Sequence, residues 1–512
     1  MRDEVVARFL ANACPDHHVR GGYAHEVARH TAKRLLDRDP GIGSRSLPAA
    51  VVCGDLESVE RLLRTRPEAA KEKSGPKGSA GVGGATFLVE EVDARPPLWE
   101  PLLYLCFTRL DHAPSNGNAV AIATALLDHG ADPNAYFMAG DSRYTALTGV
   151  MGEGEEERSG HPRRDELTRL LLDRGAEPYD IQVVYNIHFR GEALWYLKLM
   201  HARALQLGRD ADWRDPAWQM LSMGNYGSGA RWHLEIALKN DDLDLATWCL
   251  EHGADPNAAP ARDPRFPRGT LHDEAMRRGQ LDFARLLERH GAKASDPQSF
   301  SELDRFTAAC FRLDRDEAAT LAKTHPEVLH AATGMMIAAQ RDRADVVELL
   351  LDLGVALDVI SSEQGGERPL HTAAYHGSVG VAKLLIERGA VIDPREATYG
   401  ATPLGFAVWA QRRETVDVLG PFSRDLWNLA FTGHVDRLRE LLEAEPALAR
   451  SAHADGETPL MRLPGDEAKA VEIVRLFLDR GADPGARGAS GRTAAELAGR
   501  RGMLDAAKML SS

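Results

Sequence analysis

Apolar positions along this chain recur at helical rather than strand spacing. In Arg343-Ala344-Asp345-Val346-Val347-Glu348-Leu349-Leu350-Leu351-Asp352-Leu353 they cover more than half of the helix circumference, and residues 379–386 and 471–478 share that character. So broad an apolar face predicts a helix with a neighbour on either side. The leucine-rich helices run into a recurrent stop. It reads Leu126-Leu127-Asp128-His129-Gly130-Ala131-Asp132-Pro133-Asn134, then Leu170-Leu171-Leu172-Asp173-Arg174-Gly175-Ala176-Glu177-Pro178, and returns at Gly253-Ala254-Asp255-Pro256-Asn257, Gly291-Ala292, Gly389-Ala390 and Gly481-Ala482-Asp483-Pro484. Glycine supplies a left-handed residue after the last turn, and Asp, Pro and Asn then favour a tight turn.

Upstream of most stops lies an opening signal. Arg368-Pro369-Leu370-His371-Thr372-Ala373-Ala374-Tyr375-His376-Gly377 is its fullest form, and Thr402-Pro403-Leu404 and Thr458-Pro459-Leu460 repeat its start. Threonine is a good N-cap, and proline at the first helical position loses no needed hydrogen bond. Leucine then enters the core, and the paired alanines let neighbouring helices approach closely. Each unit therefore reads turn, short helix, turn, longer helix, stop.

The stretch from Pro369 through Leu384-Leu385-Ile386-Glu387-Arg388-Gly389-Ala390 resembles an ankyrin repeat almost position for position, and residues 45–510 resemble the family more loosely. Spacings of 38 residues from Gly253 to Gly291 and 35 from Gly354 to Gly389 bracket the length of an ankyrin unit, about 33. Some units carry a Pro-centred stop instead, at Arg66-Pro67-Glu68, His325-Pro326-Glu327 and Glu445-Pro446-Ala447. Others lose the opening: Thr270-Leu271-His272 puts His where Leu belongs, and Arg424-Asp425-Leu426-Trp427 keeps only the Leu. The expected fold is an all-α, curved ankyrin-repeat solenoid of roughly twelve to fourteen units. Its expected segments are a helical cap with degenerate repeats (1–72), a Gly-rich loop (73–97), repeats (98–179), an aromatic-rich insertion (180–231) and repeats with a C-terminal cap (232–510). Leu102-Leu103-Tyr104-Leu105-Cys106-Phe107 and the aromatic insertion also resemble a group of bacterial ankyrin-repeat proteins, which implies fold and locale but no activity.

Composition narrows the function classes. The 512 residues hold 62 basic and 76 acidic side chains, a net charge of −14, which argues against a polyanion such as DNA as main ligand. Arg277-Arg278 and the arginines of 262–268 are local basic spots among carboxylates and prolines. Five cysteines, at 14, 53, 106, 249 and 310, include no Cys-x-x-Cys pair and read as core thiols in a reducing cytoplasm. No run of about 18 apolar residues occurs, so no membrane association is expected.

Motifs that could carry chemistry fail on spacing. His25-Glu26-Val27-Ala28-Arg29-His30 has its histidines five apart, about 140° around a helix, so they cannot chelate zinc together. His17 and His18 lack completing ligands, and Gly75-Pro76-Lys77-Gly78-Ser79 lacks the order of a phosphate loop. No nucleophile elbow or dinucleotide fingerprint occurs, and nothing marks a histidine for Cys106. His371 holds the repeat position where histidine is structural. No catalytic residue, cofactor or metal is expected.

The expectation is a non-catalytic scaffold, a monomer by default, that binds a protein partner and not nucleic acid. By resemblance, the two residues before the glycine that ends each first helix lie on the binding surface: Val52 and Cys53, Arg277 and Arg278, Tyr375 and His376, Phe431 and Thr432, Arg500 and Arg501, with Trp409 and Ala410 where Gln411 replaces the glycine. Tyr375, Trp409 and Phe431 would form an aromatic track beside His376. Two alternatives stay open. One is an enzyme, or a regulatory subunit of one, with a site in 180–232, where tryptophan and tyrosine concentrate around Glu192, His188 and His233. The other is an effector exported into foreign cells. The aromatic insertion itself reads either as a longer helix pair filling a wider core or as a partner pocket.

Overall fold

A computed structural model describes residues 2–14, 22–74, 99–139, 142–152, 159–190, 193–215, 228–259, 269–294, 296, 299–361 and 365–512. The expected Gly-rich loop, the basic stretch 262–268, Glu192 and the His17-His18 pair fall wholly or largely outside them. The described chain is a succession of antiparallel helix pairs. Contacts group it into two compact units, one of residues 1–190, 199–204 and 426–512, the other of residues 191–198 and 205–425.

The second unit contains the most regular pairs. Four are Leu271–Arg277 with Leu281–Arg289, Thr333–Gln340 with Ala344–Asp352, Pro369–His376 with Val379–Glu387, and Pro403–Trp409 with Arg413–Leu419. A left-handed residue ends each first helix, glycine at Gly279 (φ 65°) and Gly377 (φ 78°) but Asp342 (φ 53°) and Gln411 (φ 52°) elsewhere. The residue after it returns its N–H to a carbonyl inside the first helix. Gln280, Arg343, Ser378 and Arg412 bond in this way to Ala275, Ala338, Ala373 and Ala407, at 2.9–3.0 Å. The recurrent alanine is thus the acceptor of the helix stop as well as a buried small residue.

The leucine-rich helices stop as the pattern predicts. Gly130, Gly175, Gly253, Gly291, Gly354, Gly389 and Gly481 all take positive φ. The asparagine of the stop does more than turn the chain. Asn134 donates to the Gly175 carbonyl (3.0 Å) and accepts from the Glu177 N–H (2.8 Å), and Asn257 does the same with Gly291 and Lys293. One stop is therefore clamped to the next. At the Pro-centred stops, Arg66, His325 and Glu445 leave the helical region (ψ 79°, 68° and 80°), since the following proline disfavours it, and short 3₁₀ turns follow at Pro67–Lys71, Pro326–His330 and Pro446–Arg450.

Two local departures have physical causes. Thr458-Pro459-Leu460 opens only a 3₁₀ turn, Pro459–Met461, because Pro464 cuts off any helical continuation. A short antiparallel hairpin pairs Tyr136–Ala139 with Ser142–Thr145 inside the otherwise helical fold. It is backed by Phe137, which stacks between Trp99 (4.7 Å) and Tyr144 (5.4 Å).

In the first unit the N-terminal helices, Arg2–Ala13 and Gly22–Arg38, pack on the last repeat. Arg34 donates to the carbonyls of Arg501 (2.9 Å) and Gly465 (3.1 Å), Arg38 to Gly502 (2.6 Å), and Arg8 to Gly499 (3.4 Å). Arg501 is drawn inward and donates to Leu463 (2.7 Å) and Pro464 (3.0 Å). Cations on carbonyls at the end of helix Ala494–Arg500 are also favoured by its dipole.

Candidate functional site

The ends of the first helices in the second unit form the surface on which recognition was expected. Helix Pro369–His376 is fixed at its start by His371, which is fully buried. Its Nδ1 accepts the Arg368 N–H (3.1 Å), and its Nε2–H faces the carbonyls of Pro394 (3.1 Å) and Ala401 (3.3 Å). Burial lowers its pKa against those two acceptors, so the imidazole is neutral. Its structural role is what the sequence indicated.

At the other end of this helix, Tyr375 and His376 are exposed. The Tyr375 ring meets His376 edge-on (5.1 Å) and Phe406 of the following repeat (6.3 Å), yet 38% of the residue still faces solvent. Arg412 donates from Nε to the Tyr375 carbonyl (2.9 Å), tying the turn to the next pair. Trp409, one repeat on, is half-buried. An amphipathic ring held on rigid backbone, partly packed and partly wet, is the usual form of an interface anchor.

Arg277 and Arg278 have different fates. Arg277 is half-buried, pairs with Glu274 (3.4 Å) and Asp304 (3.9 Å), and lies over the Phe300 ring (5.5 Å). Arg278 is buried and pairs with Glu274 at 2.5 Å. Two repeats later Arg341 donates to the Leu238 carbonyl (3.2 Å), and burial, with Arg278 adding to it, brings its pKa down to about 10. These guanidinium groups therefore form a carboxylate-braced network linking repeats.

Five of the expected contact positions lie in the interior. Phe431 is buried (7% exposed) and belongs to the first compact unit, whereas Tyr375 and Trp409 belong to the second. Arg278, Val52, Cys53 and Ala410 are likewise interior. Sequence spacing alone does not distinguish these cases.

Several described residues in and beside the aromatic insertion are buried. Trp213 is buried against Trp248 (5.1 Å) and donates to the His252 carbonyl (3.2 Å), while His252 stacks on Trp248 (4.1 Å). Trp232, His233 and Glu235 are buried as well, Glu235 pairing with Arg231 and Lys239. Among the described residues no group of three or more His, Cys, Asp or Glu side chains could hold a metal ion, and no helix is long and apolar enough to cross a membrane. All five cysteines are buried thiols outside any disulfide, and burial pushes Cys53 and Cys310 up to about 12 and Cys106 and Cys249 higher still. Such thiols are poor nucleophiles.

A family model described as ankyrin repeats, in three copies, matches residues 316–397 and 335–422, the region that carries Tyr375, His376 and Trp409. The chain carries ankyrin repeats. Among proteins similar to it, the ankyrin repeat and SAM domain-containing protein 6 of Danio rerio is 29% identical over 162 residues, 29% of this chain and 21% of that protein. Inversin of Danio rerio is 36% identical over 66 residues, 13% of this chain and 6% of its own length. The putative ankyrin repeat protein YahD of Escherichia coli (strain K12) is 26% identical over 189 residues, 34% of this chain and 92% of that protein. The matched segments thus span about a fifth or less of the two fish proteins.

Proposed function

We propose that the protein is a non-catalytic scaffold that captures a protein partner on the first-helix ends of its second unit. Ankyrin repeats generally mediate protein–protein interaction, and among the described residues no group of three or more His, Cys, Asp or Glu side chains could hold a metal ion. The observation that carries the reading is Tyr375. It is a large amphipathic ring, 38% exposed, on a helix end whose backbone is held from both sides by His371 and Arg412. His376 and Trp409 extend the same surface, and Arg277 adds a cation held by Glu274 and Asp304. Phe431 and Arg278, being interior, are left out of the contact set. A rigid anchor of this kind loses little conformational entropy on binding.

Affinity capture from the source organism's extract with the intact protein and with a Tyr375→Ala, Trp409→Ala variant tests this. A partner retained by the wild type and lost by the folded variant supports the reading. A partner retained equally by both moves the interface elsewhere. Turnover of a substrate by the purified protein would overturn the non-catalytic reading.

A further inference from the structure

The first two helices hold a place in the first unit that sequence order does not suggest. On one side they are tied to the early repeats. Residues 39–46 join helix Gly22–Arg38 directly to helix Leu47–Cys53, and the Ala13 carbonyl accepts the Arg109 N–H (3.2 Å) and the Thr108 hydroxyl (3.2 Å). On the other side they meet residues 463–502, between 431 and 491 residues further along the chain. There Arg34 donates to the Gly465 and Arg501 carbonyls, Arg38 to Gly502, and the Thr31 hydroxyl to Arg501 (3.3 Å).

In a stack of repeats each unit normally rests on its neighbours in sequence. Across this seam, two faces far apart in the chain support each other instead. The fit is close, since a Cβ on Gly465 would lie 2.3 Å from His30 Nδ1. It is also costly, because guanidinium groups lose hydration in it. Burial lowers the pKa of Arg34, and burial, with Arg34 adding to it, brings Arg501 down to about 9. The two faces are unlike each other, so a second molecule meets them head to tail. Within one chain the tether keeps the faces at an effective concentration on the order of mM, which favours the closed form in dilute solution.

We propose that this seam is a reversible clasp, and that its two faces, when open, fit those of a second copy of this chain. The first two helices of one molecule then rest on the 463–502 face of another, through the same hydrogen bonds that close the monomer. Exchange forfeits the tether and no contact, so the exchanged form gains as protein concentration nears the effective value.

Two variants, each damaged on one face, test this by complementation. Arg34→Ala, Arg38→Ala removes donors from the first helices, and Gly465→Leu drives a side chain into His30. In each folded variant, amides in 27–38 should exchange about tenfold faster than in the wild type. Each alone should sediment as a monomer, because every contact between like molecules includes a damaged face. Mixed in equal amounts, they should form a dimer at about ten times the fraction seen in either alone, through the two intact faces. Light scattering on the wild type after incubation at about 1 mM in mild urea does not depend on the variants folding, and a species of twice the monomer mass is expected. Unchanged exchange in the folded variants, a mixture as monomeric as its components, or a wild type that stays monomeric at that concentration overturns the proposal.

Discussion

His161 offers a direct test of how burial sets the acid stability of this protein. It is 3% exposed, its backbone N–H bonds to the Val150 carbonyl (2.8 Å), and its Nδ1 accepts the Arg163 N–H (2.9 Å). Burial, with the positive charges of Arg109 and Arg163 adding to it, holds its pKa down to about 3. An unfolded imidazole titrates near 6.5. Between those two values the unfolded chain binds a proton that the folded chain refuses, so stability rises with pH. The contribution is complete above about pH 6.5, declines as the pH falls, and levels off below about pH 3. At pH 5 the unfolded ring lies about 1.5 pH units below its pKa while the folded ring is still neutral, which amounts to a loss of about 2 kcal/mol. His161→Asn keeps an acceptor for the Arg163 N–H and cannot titrate. Urea unfolding of both proteins at pH 8 and pH 5 should therefore show about 2 kcal/mol less pH dependence in the variant. His371 and other buried histidines act alike in both and cancel. Equal pH dependence, or a folded His161 titrating near 6.5 by NMR, would refute the argument.

Other outcomes follow from the same structure. Gly54 sits at φ 73° with its missing Cβ 2.2 Å from the Pro114 carbonyl, so Gly54→Ala should destabilise the first unit by about 2 kcal/mol or more in thermal unfolding. Thr402 caps helix Pro403–Trp409 through the Gly405 N–H (3.1 Å) and donates to the buried Asp425 carboxylate (2.7 Å). Its isosteric change Thr402→Val should cost about 2–4 kcal/mol in urea unfolding, whereas Thr124→Val, on a back-bond to Val120 inside helix Ala113–Asp128, should cost under about 1 kcal/mol. The buried thiols should react with a disulfide reagent at pH 8 only after denaturant is added. Fast reaction of the native protein would show that these helices open readily.

The repeat was legible because its signals are local. A left-handed residue, an N-cap and an apolar stripe each act within one or two helical turns, and Gly389, Thr402 and residues 344–352 behave as their sequence indicates. His371 was legible for the same reason, since its partners lie within one repeat and the turn beyond it. Exposure was not. Tyr375 and Phe431 occupy equivalent places before a left-handed glycine, yet one is 38% exposed and the other 7%, because neighbouring repeats cover them differently. Nor did sequence indicate that Arg34 and Arg38, four apart on one helix face, would meet carbonyls more than 460 residues away. The one signal present was a basic pair whose acceptors are backbone atoms and so leave no mark in side-chain pattern. The amino-acid sequence by itself determined the repeat and its capping, since these depend on neighbours along the chain. Tertiary structure alone decided which helix ends face solvent and which arginines meet distant carbonyls, because burial and long-range contacts depend on elements the chain brings together only on folding.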